Sequence, residues 1–130
     1  MAKKILLVDD ETDIVTLVSS RLKASGYDVI TAIDGMEALD KARKEKPDLI
    51  LLDVMLPKLD GFKVCHILKF DDNFKDIPII MFTARAGEKD SKIAYESKAD
   101  DYVTKPFEPT VLLSKVKNLL KEGDPIKPQK

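Results

Sequence analysis

The sequence predicts an α/β protein: a five-stranded parallel doubly wound sheet in strand order 2-1-3-4-5, with five helices, a (βα)5 chain. Five short runs rich in β-branched and aliphatic residues alternate with longer stretches whose apolar residues recur at helical spacing. The first and third runs, ILLV and LILL, are apolar throughout, as central parallel strands covered on both faces must be. Because crossovers between parallel strands are right-handed, few topologies satisfy that order.

The first strand is expected over Lys4–Val8 (KILLV), followed by a helix whose stripe is Ile14, Leu17, Val18 and Leu22. Tyr27–Ala32 (YDVITA) reads as the second strand. Met36, Leu39 and Ala42 form the next stripe, ended at Lys46-Pro47 because proline disfavours helical geometry in the residue before it. The third strand is Leu49–Leu52, and the Asp60-Gly61 turn opens a helix marked by Phe62, Val64, Cys65, Ile67 and Leu68. Ile77–Phe82 is the fourth strand, and Ile93, Ala94 and Ser97 carry a weaker stripe after it. The fifth strand is Asp101–Val103, and a last helix bears Val111, Leu112, Val116, Leu119 and Leu120 before Gly123, a natural stop. The order is the flavodoxin-like one. Residues 1–122 make one domain, and residues 123–130 (GDPIKPQK) read as a flexible tail, proline-bearing and without apolar periodicity.

Composition narrows the setting. A chain of 130 residues is one domain and buries a sufficient core without staples. Cys65 is the single cysteine and MAKK runs straight into ILLV, so neither an internal disulfide nor a secretory signal is expected, and a cytoplasmic location is. The apolar runs are short and broken by charge, so no membrane association is expected. With 22 basic and 23 acidic residues there is no basic excess of the kind that direct nucleic-acid binding requires. Neither GxxxxGK[ST] nor GxGxxG occurs, which excludes the P-loop and dinucleotide motifs.

In open parallel sheets, ligands bind beyond the carboxyl ends of the strands. Asp9 and Asp10 follow the first run, Asp53 the third, Thr83 the fourth and Lys105 the fifth. Carboxylates so crowded either take up protons or bind a cation, and hard oxygen ligands beside water suit Mg²⁺. Lys105 is then a mobile point charge for a phosphoryl oxygen, with Thr83 a small donor beside it. Taken singly, each has an ordinary reading. Asp9 and Asp10 could cap the first helix, Asp53 could be a plain strand-end acid, Thr83 could cap the segment after it, and Lys105 could be surface. Together, at successive strand ends, they read as one site.

The stretches ILLVDDE, PDLILLDVMLPKLDGF, IPIIMFTA and ADDYVTKPF, spanning residues 3 to about 121, resemble the receiver domain of two-component response regulators. The resemblance implies that Asp53 accepts a phosphoryl group from a sensor histidine kinase, a phosphotransfer protein or a small phosphodonor. It implies Mg²⁺ bound directly by Asp10, Asp53 and the Met55 backbone carbonyl, with Asp9 acting through water. Thr83 and Lys105 would hold phosphoryl oxygens, and the Lys105-Pro106 bond would be cis. Thr83 and Tyr102 occupy the positions of the family's switch pair, expected to reshape the surface from Glu88 to Leu120, covering the fourth helix, fifth strand and fifth helix. The implied protein is a phosphoacceptor regulator rather than an enzyme acting on others. It would be a monomer or a phosphorylation-dependent dimer, acting on a downstream protein partner or through a C-terminal output domain outside this chain; the KPQK ending, which starts no new apolar pattern, favours the former.

Several residues depart from the family pattern or stand apart from it. Lys98 stands where glycine is common after the fourth helix, so it either adopts a left-handed conformation or the helix ends differently. Met55 and Arg85 lie two residues beyond Asp53 and Thr83, flanking the route of attacking water; a thioether cannot orient water, so a long-lived phosphoaspartate is expected, while Arg85 could equally be a solvated loop residue. Met55 also occupies the place of the second acid in DxDx[TV] phosphatases, which argues against a hydrolase. A receiver that binds partners without phosphorylation is disfavoured by the presence of all five polar groups. His66 reads as a surface or edge residue, Cys65 as small packing and Tyr102 alternatively as a half-buried strand tyrosine. Phe62 and Phe70 read as packing residues, with Phe62 near enough to the active rim to meet a partner.

Overall fold

In the computed structural model, residues 2–83 and 92–121 are described. The elements are β1 (Lys4–Val8), α1 (Thr12–Ala24), β2 (Asp28–Ala32), α2 (Gly35–Glu45), β3 (Leu49–Asp53), α3 (Gly61–Lys69), β4 (Ile79–Thr83), α4 (Lys92–Ser97), β5 (Asp101–Thr104) and α5 (Pro109–Leu120). The five strands are parallel and lie in the order β2-β1-β3-β4-β5, as expected. Five helices were expected, the fourth on the weakest stripe, and it is at that helix that the structure falls short. Four helices run 9 to 13 residues, whereas the described part of α4 is six residues long, matching its weaker apolar stripe. Among the described residues, no helix is long and apolar enough to cross a membrane.

The period-2 alternation of the strands divides the core into two layers. On one face Leu6, Val8, Ile50, Leu52, Ile79 and Met81 pack against Ala38, Leu39 and Ala42 of α2 and Val64, Cys65 and Leu68 of α3. On the other, Ile5, Leu7, Leu49, Leu51, Ile80 and Phe82 meet Val18 and Leu22 of α1 and Leu112 and Val116 of α5. β3 and β4 are buried along their whole length, which is why their sequences show no polar alternation.

Element ends differ from expectation where backbone chemistry overrides side-chain pattern. β4 begins at Ile79 rather than Ile77, because Pro78 has no N–H and Ile77 N is turned back to Phe74 O. Asp53 and Thr83 are the last residues of their strands, not the first beyond them. α5 ends at Leu120 with Lys121 in the left-handed region, before Gly123 is reached. Lys98 takes φ 65°, so α4 ends left-handed without glycine, at a cost on the order of 1 kcal/mol. The Lys105-Pro106 peptide bond is cis. Arg85, Glu88, Gly123 and the rest of the expected tail lie outside the described residues.

One partly buried network is not visible in the sequence. The Lys69 ammonium, with its side chain 8% exposed, sits 2.6 Å from Asp100 and donates to the carbonyls of Lys75 and Ile77 at 3.1 and 2.8 Å. Asp100 in turn accepts from the amide of Ile79 at 2.8 Å. The end of α3 is thereby tied to the start of β4 and the approach to β5.

Candidate functional site

Asp9, the residue after β1, is fully buried, its amide bonded to Ala32 O at 3.1 Å. Its carboxylate accepts from Glu11 N at 2.9 Å and lies 3.0 Å from the Lys105 ammonium. Asp10 is exposed beside it. The capping alternative for this acidic pair does not hold: the N-cap of α1 is Glu11, and its side chain makes no cap bond.

Asp53 ends β3 at 5% exposure, paired in register with Phe82. One carboxylate oxygen accepts from Met55 N at 3.3 Å, and the other lies 3.4 Å from Lys105 Nζ. Oxygens of Asp9, Asp10 and Asp53 all lie within 4.8 Å of one another. They open on a cleft of about 330 Å³ lined by Asp10, Glu11, Asp53, Met55 and Lys105. Burial, then the neighbouring Asp9 charge, raises the pKa of Asp53 to about 6, despite the lysine beside it. Burial works against the charge on Lys105, but hydrogen bonds to Glu11 and Asp9 and the charges of Asp53 and Asp9 outweigh it, and its pKa is raised.

Two further features lie beside these acids. Thr83 is buried, and its hydroxyl has no hydrogen-bond partner among the described residues. A buried hydroxyl left unpaired is destabilising, so this one is a donor held ready for an acceptor. Lys105 follows β5 and is fixed by its own amide, which donates to Thr83 O at 2.7 Å. The Lys105 ammonium lies over the Phe82 ring, with Nζ 5.8 Å from its centroid.

The structure therefore gathers Asp9, Asp10, Asp53, Met55, Lys105 and, at the neighbouring strand end, Thr83. Sequence reasoning missed Glu11, whose carboxylate is 2.9 Å from Lys105 Nζ. Its position directly after Asp9 and Asp10 is the signal the sequence offers, and it reads equally as an acid opening α1. Tyr102 pairs with Met81 on the strand beside Thr83, so both side chains face the α2–α3 side, and its hydroxyl is 3.5 Å from Ser97 Oγ. Burial raises the Tyr102 pKa, which keeps the phenol protonated.

The loop between β3 and α3 is wedged by two glycines. A Cβ on Gly61 would collide with the backbone carbonyl of Asp53, and one on Gly35 with the carbonyl of Leu59. Gly61 N also donates to Val54 O at 2.9 Å, and Gly35 N to Pro57 O at 3.3 Å. The loop backbone carrying Met55 is thus pinned at both ends, while the Met55 side chain is 68% exposed.

An all-oxygen set of three acids, two of them buried, fits a hard divalent cation such as Mg²⁺.

Comparison with known proteins agrees with this geometry. Residues 5–117 match the family model for the response regulator receiver domain. The chain is 55% identical over 124 residues to the alkaline phosphatase synthesis transcriptional regulatory protein PhoP of Bacillus subtilis, covering 95% of this chain and 51% of PhoP. It is 46% identical over 123 residues to the DNA-binding dual master transcriptional regulator RpaA of Synechocystis, covering 95% and 51%. The chain thus spans about half the length of these curated relatives. Among solved structures, the receiver domain of the sensor histidine kinase PA1611 from Pseudomonas aeruginosa, with a magnesium ion coordinated in its active site cleft, superposes with TM-score 0.86 at 30% identity, covering 93% of this chain and 99% of that one.

Proposed function

This chain belongs to the response regulator receiver domain family, and on that premise we propose that Asp53 is the phosphoacceptor of a phosphorylation-controlled switch. The observation that carries the reading is the joint placement of a buried, proton-prone carboxylate, a lysine between three acids, and an unpartnered threonine hydroxyl.

Asp53 attacks the phosphorus of a phosphohistidine or a small acyl phosphate. A bond forms between a carboxylate oxygen and phosphorus as the bond from phosphorus to the donor's nitrogen or oxygen breaks. Asp10, Asp53 and the Met55 carbonyl would hold Mg²⁺, with Asp9 acting through water; when bound, the ion neutralises charge on the acids and the incoming phosphoryl oxygens. Lys105 is close enough to Asp53 to exchange a carboxylate contact for a phosphoryl oxygen. Thr83 supplies the second donor from its strand end.

The output reading rests on the same two donors. As Thr83 turns to a phosphoryl oxygen it vacates space on the face it shares with Tyr102, and Tyr102 rotates inward. The surface formed by α4, β5 and α5 then changes what it presents. A sensor kinase or phosphotransfer protein is the donor. The transcriptional regulators that this chain resembles over half their length support an output domain following the receiver, with a separate protein partner as the alternative.

The test is incubation with Mg²⁺ and acetyl phosphate, read by intact mass. Wild type gains one phosphoryl mass and Asp53→Asn gains none. No gain in wild type, or an equal gain in the variant, removes the reading.

A further inference from the structure

The junction of α3 and α4 carries a pair of hydrogen bonds that the reaction at Asp53 does not use. Glu96 and Ser97 close α4, and carbonyls in the last turn of a helix have no donor within it. Consecutive residues of α3 supply donors instead. The Cys65 thiol donates to Ser97 O at 3.3 Å, and His66 Nδ1 lies 3.1 Å from Glu96 O. Cys65 is wholly buried and burial raises its pKa to about 12, so it is a neutral S–H donor rather than a reactive thiolate. A carbonyl can only accept, so Nδ1 of His66 carries the proton. The imidazole is steadied by the Phe70 ring, with centroids 4.3 Å apart at 32°.

Ser97, whose carbonyl is so held, also meets the switch tyrosine. Ser97 is 1% exposed, and its hydroxyl is 3.5 Å from the Tyr102 hydroxyl. In this arrangement the Thr83 hydroxyl has no partner among the described residues. Tyr102 cannot turn toward Thr83 without leaving Ser97, and Ser97 cannot follow it while α3 holds the end of α4.

We propose that His66 is a positioning residue of the switch: through its bond to the Glu96 carbonyl, with Cys65 on Ser97, it latches the end of α4 to α3 and holds Tyr102 in the arrangement in which Thr83 is unengaged. The proposal rests on the phosphoacceptor reading, and it adds the α3–α4 junction as the element that sets how readily the switch turns. A latch that favours one arrangement opposes whatever ligand favours the other, by the same factor in each direction. A neutral hydrogen bond of ordinary net strength corresponds to about fivefold in that equilibrium.

The experiment measures affinity for beryllofluoride, a phosphoryl mimic, at saturating Mg²⁺ in wild type, His66→Phe, Ser97→Ala and the double variant. His66→Phe keeps a ring against Phe70 and removes only the donor. Each single variant is expected to bind about fivefold tighter, with faster amide exchange from Ser97 to Tyr102 and unchanged exchange in β1 and β3. The double variant gains little over either single one, because both act on one contact path. Loss of thermal stability with unchanged or weaker beryllofluoride affinity in His66→Phe would show a merely structural histidine and overturn the latch. Fully additive gains would overturn the shared path. If wild type and Asp53→Asn bind beryllofluoride alike, the phosphoacceptor reading itself fails, whatever His66 does.

Discussion

Lys105 lies nearer to Glu11 than to Asp53, its ammonium 2.9 Å from one carboxylate and 3.4 Å from the other. The lysine is already committed to the acids, and meeting a phosphoryl oxygen means trading part of that contact. Lys105→Met removes a positive charge from beside the acids proposed to hold Mg²⁺ without removing one of those acids. Mg²⁺ affinity, measured by calorimetry, is expected to hold or rise severalfold, while beryllofluoride affinity falls tenfold or more, the scale of a lost charge-assisted bond. A collapse of Mg²⁺ binding with intact beryllofluoride binding would reverse the role assigned to this lysine.

Asp53 is harder to ionise in the fold than in an unfolded chain, its pKa raised from 3.8 to about 6 by burial and by Asp9. Between those values the native state binds more protons than the unfolded state, so stability falls as pH rises through that window. The cost is absent below the unfolded pKa and complete above the folded one. Asp53→Asn removes it. Without divalent ions the variant is expected to be more stable than wild type by on the order of 2 kcal/mol at pH 7, with no difference near pH 4. Urea midpoints at the two pH values test the sign, and an advantage that is larger at the acid end would refute it.

Met55 stands at the mouth of the cleft with its side chain exposed. A thioether neither donates to nor orients a water approaching phosphorus. Met55→Asn is therefore expected to shorten the phosphoaspartate half-life severalfold, on the scale of about 1 kcal/mol in the barrier, with Mg²⁺ affinity unchanged. Decay of the phosphorylated mass in time after removal of acetyl phosphate measures it, and an unaltered half-life would set aside the water-exclusion argument.

Lys69 is a test of stability alone. Lys69→Met removes the partner of the partly exposed Asp100 carboxylate and strips a donor from two carbonyls. Losing these hydrogen bonds costs on the order of 1–2 kcal/mol. Thermal or urea unfolding should show that loss while phosphorylation by acetyl phosphate survives below the new transition. A neutral effect would mean that the pair is replaceable by packing.

The strands and most of the site are legible in the sequence because they rest on strong local signals. ILLV and LILL can hardly be anything but covered strands, and a polar residue ending such a strand can point only toward the sheet's carboxyl edge. Asp9, Asp53, Thr83 and Lys105 all read that way. The features that escape depend on contacts between segments far apart in sequence. Lys69 reads as an ordinary last-turn lysine until Asp100 is brought beside it. Glu11 reads as a helix-start acid until Lys105, 94 residues later, reaches its carboxylate. His66 reads as a surface residue, which it is by exposure, but only folding shows the α4 carbonyl at its ring nitrogen. The end of β4 is read to within one residue and its beginning is missed by two, because the proline at 78 removes a ladder donor that side-chain pattern cannot report.

The two glycine contacts that wedge the β3–α3 loop have a bearing on how such a protein diversifies. Backbone position there is fixed by the close contacts at Gly35 and Gly61, while Met55 is 68% exposed. On the proposed reading, the address of the metal ligand would be written in the main chain and the clock of the signal in a side chain. Selection would then reset how long a message lasts by changing one residue, leaving the machinery that receives it in place.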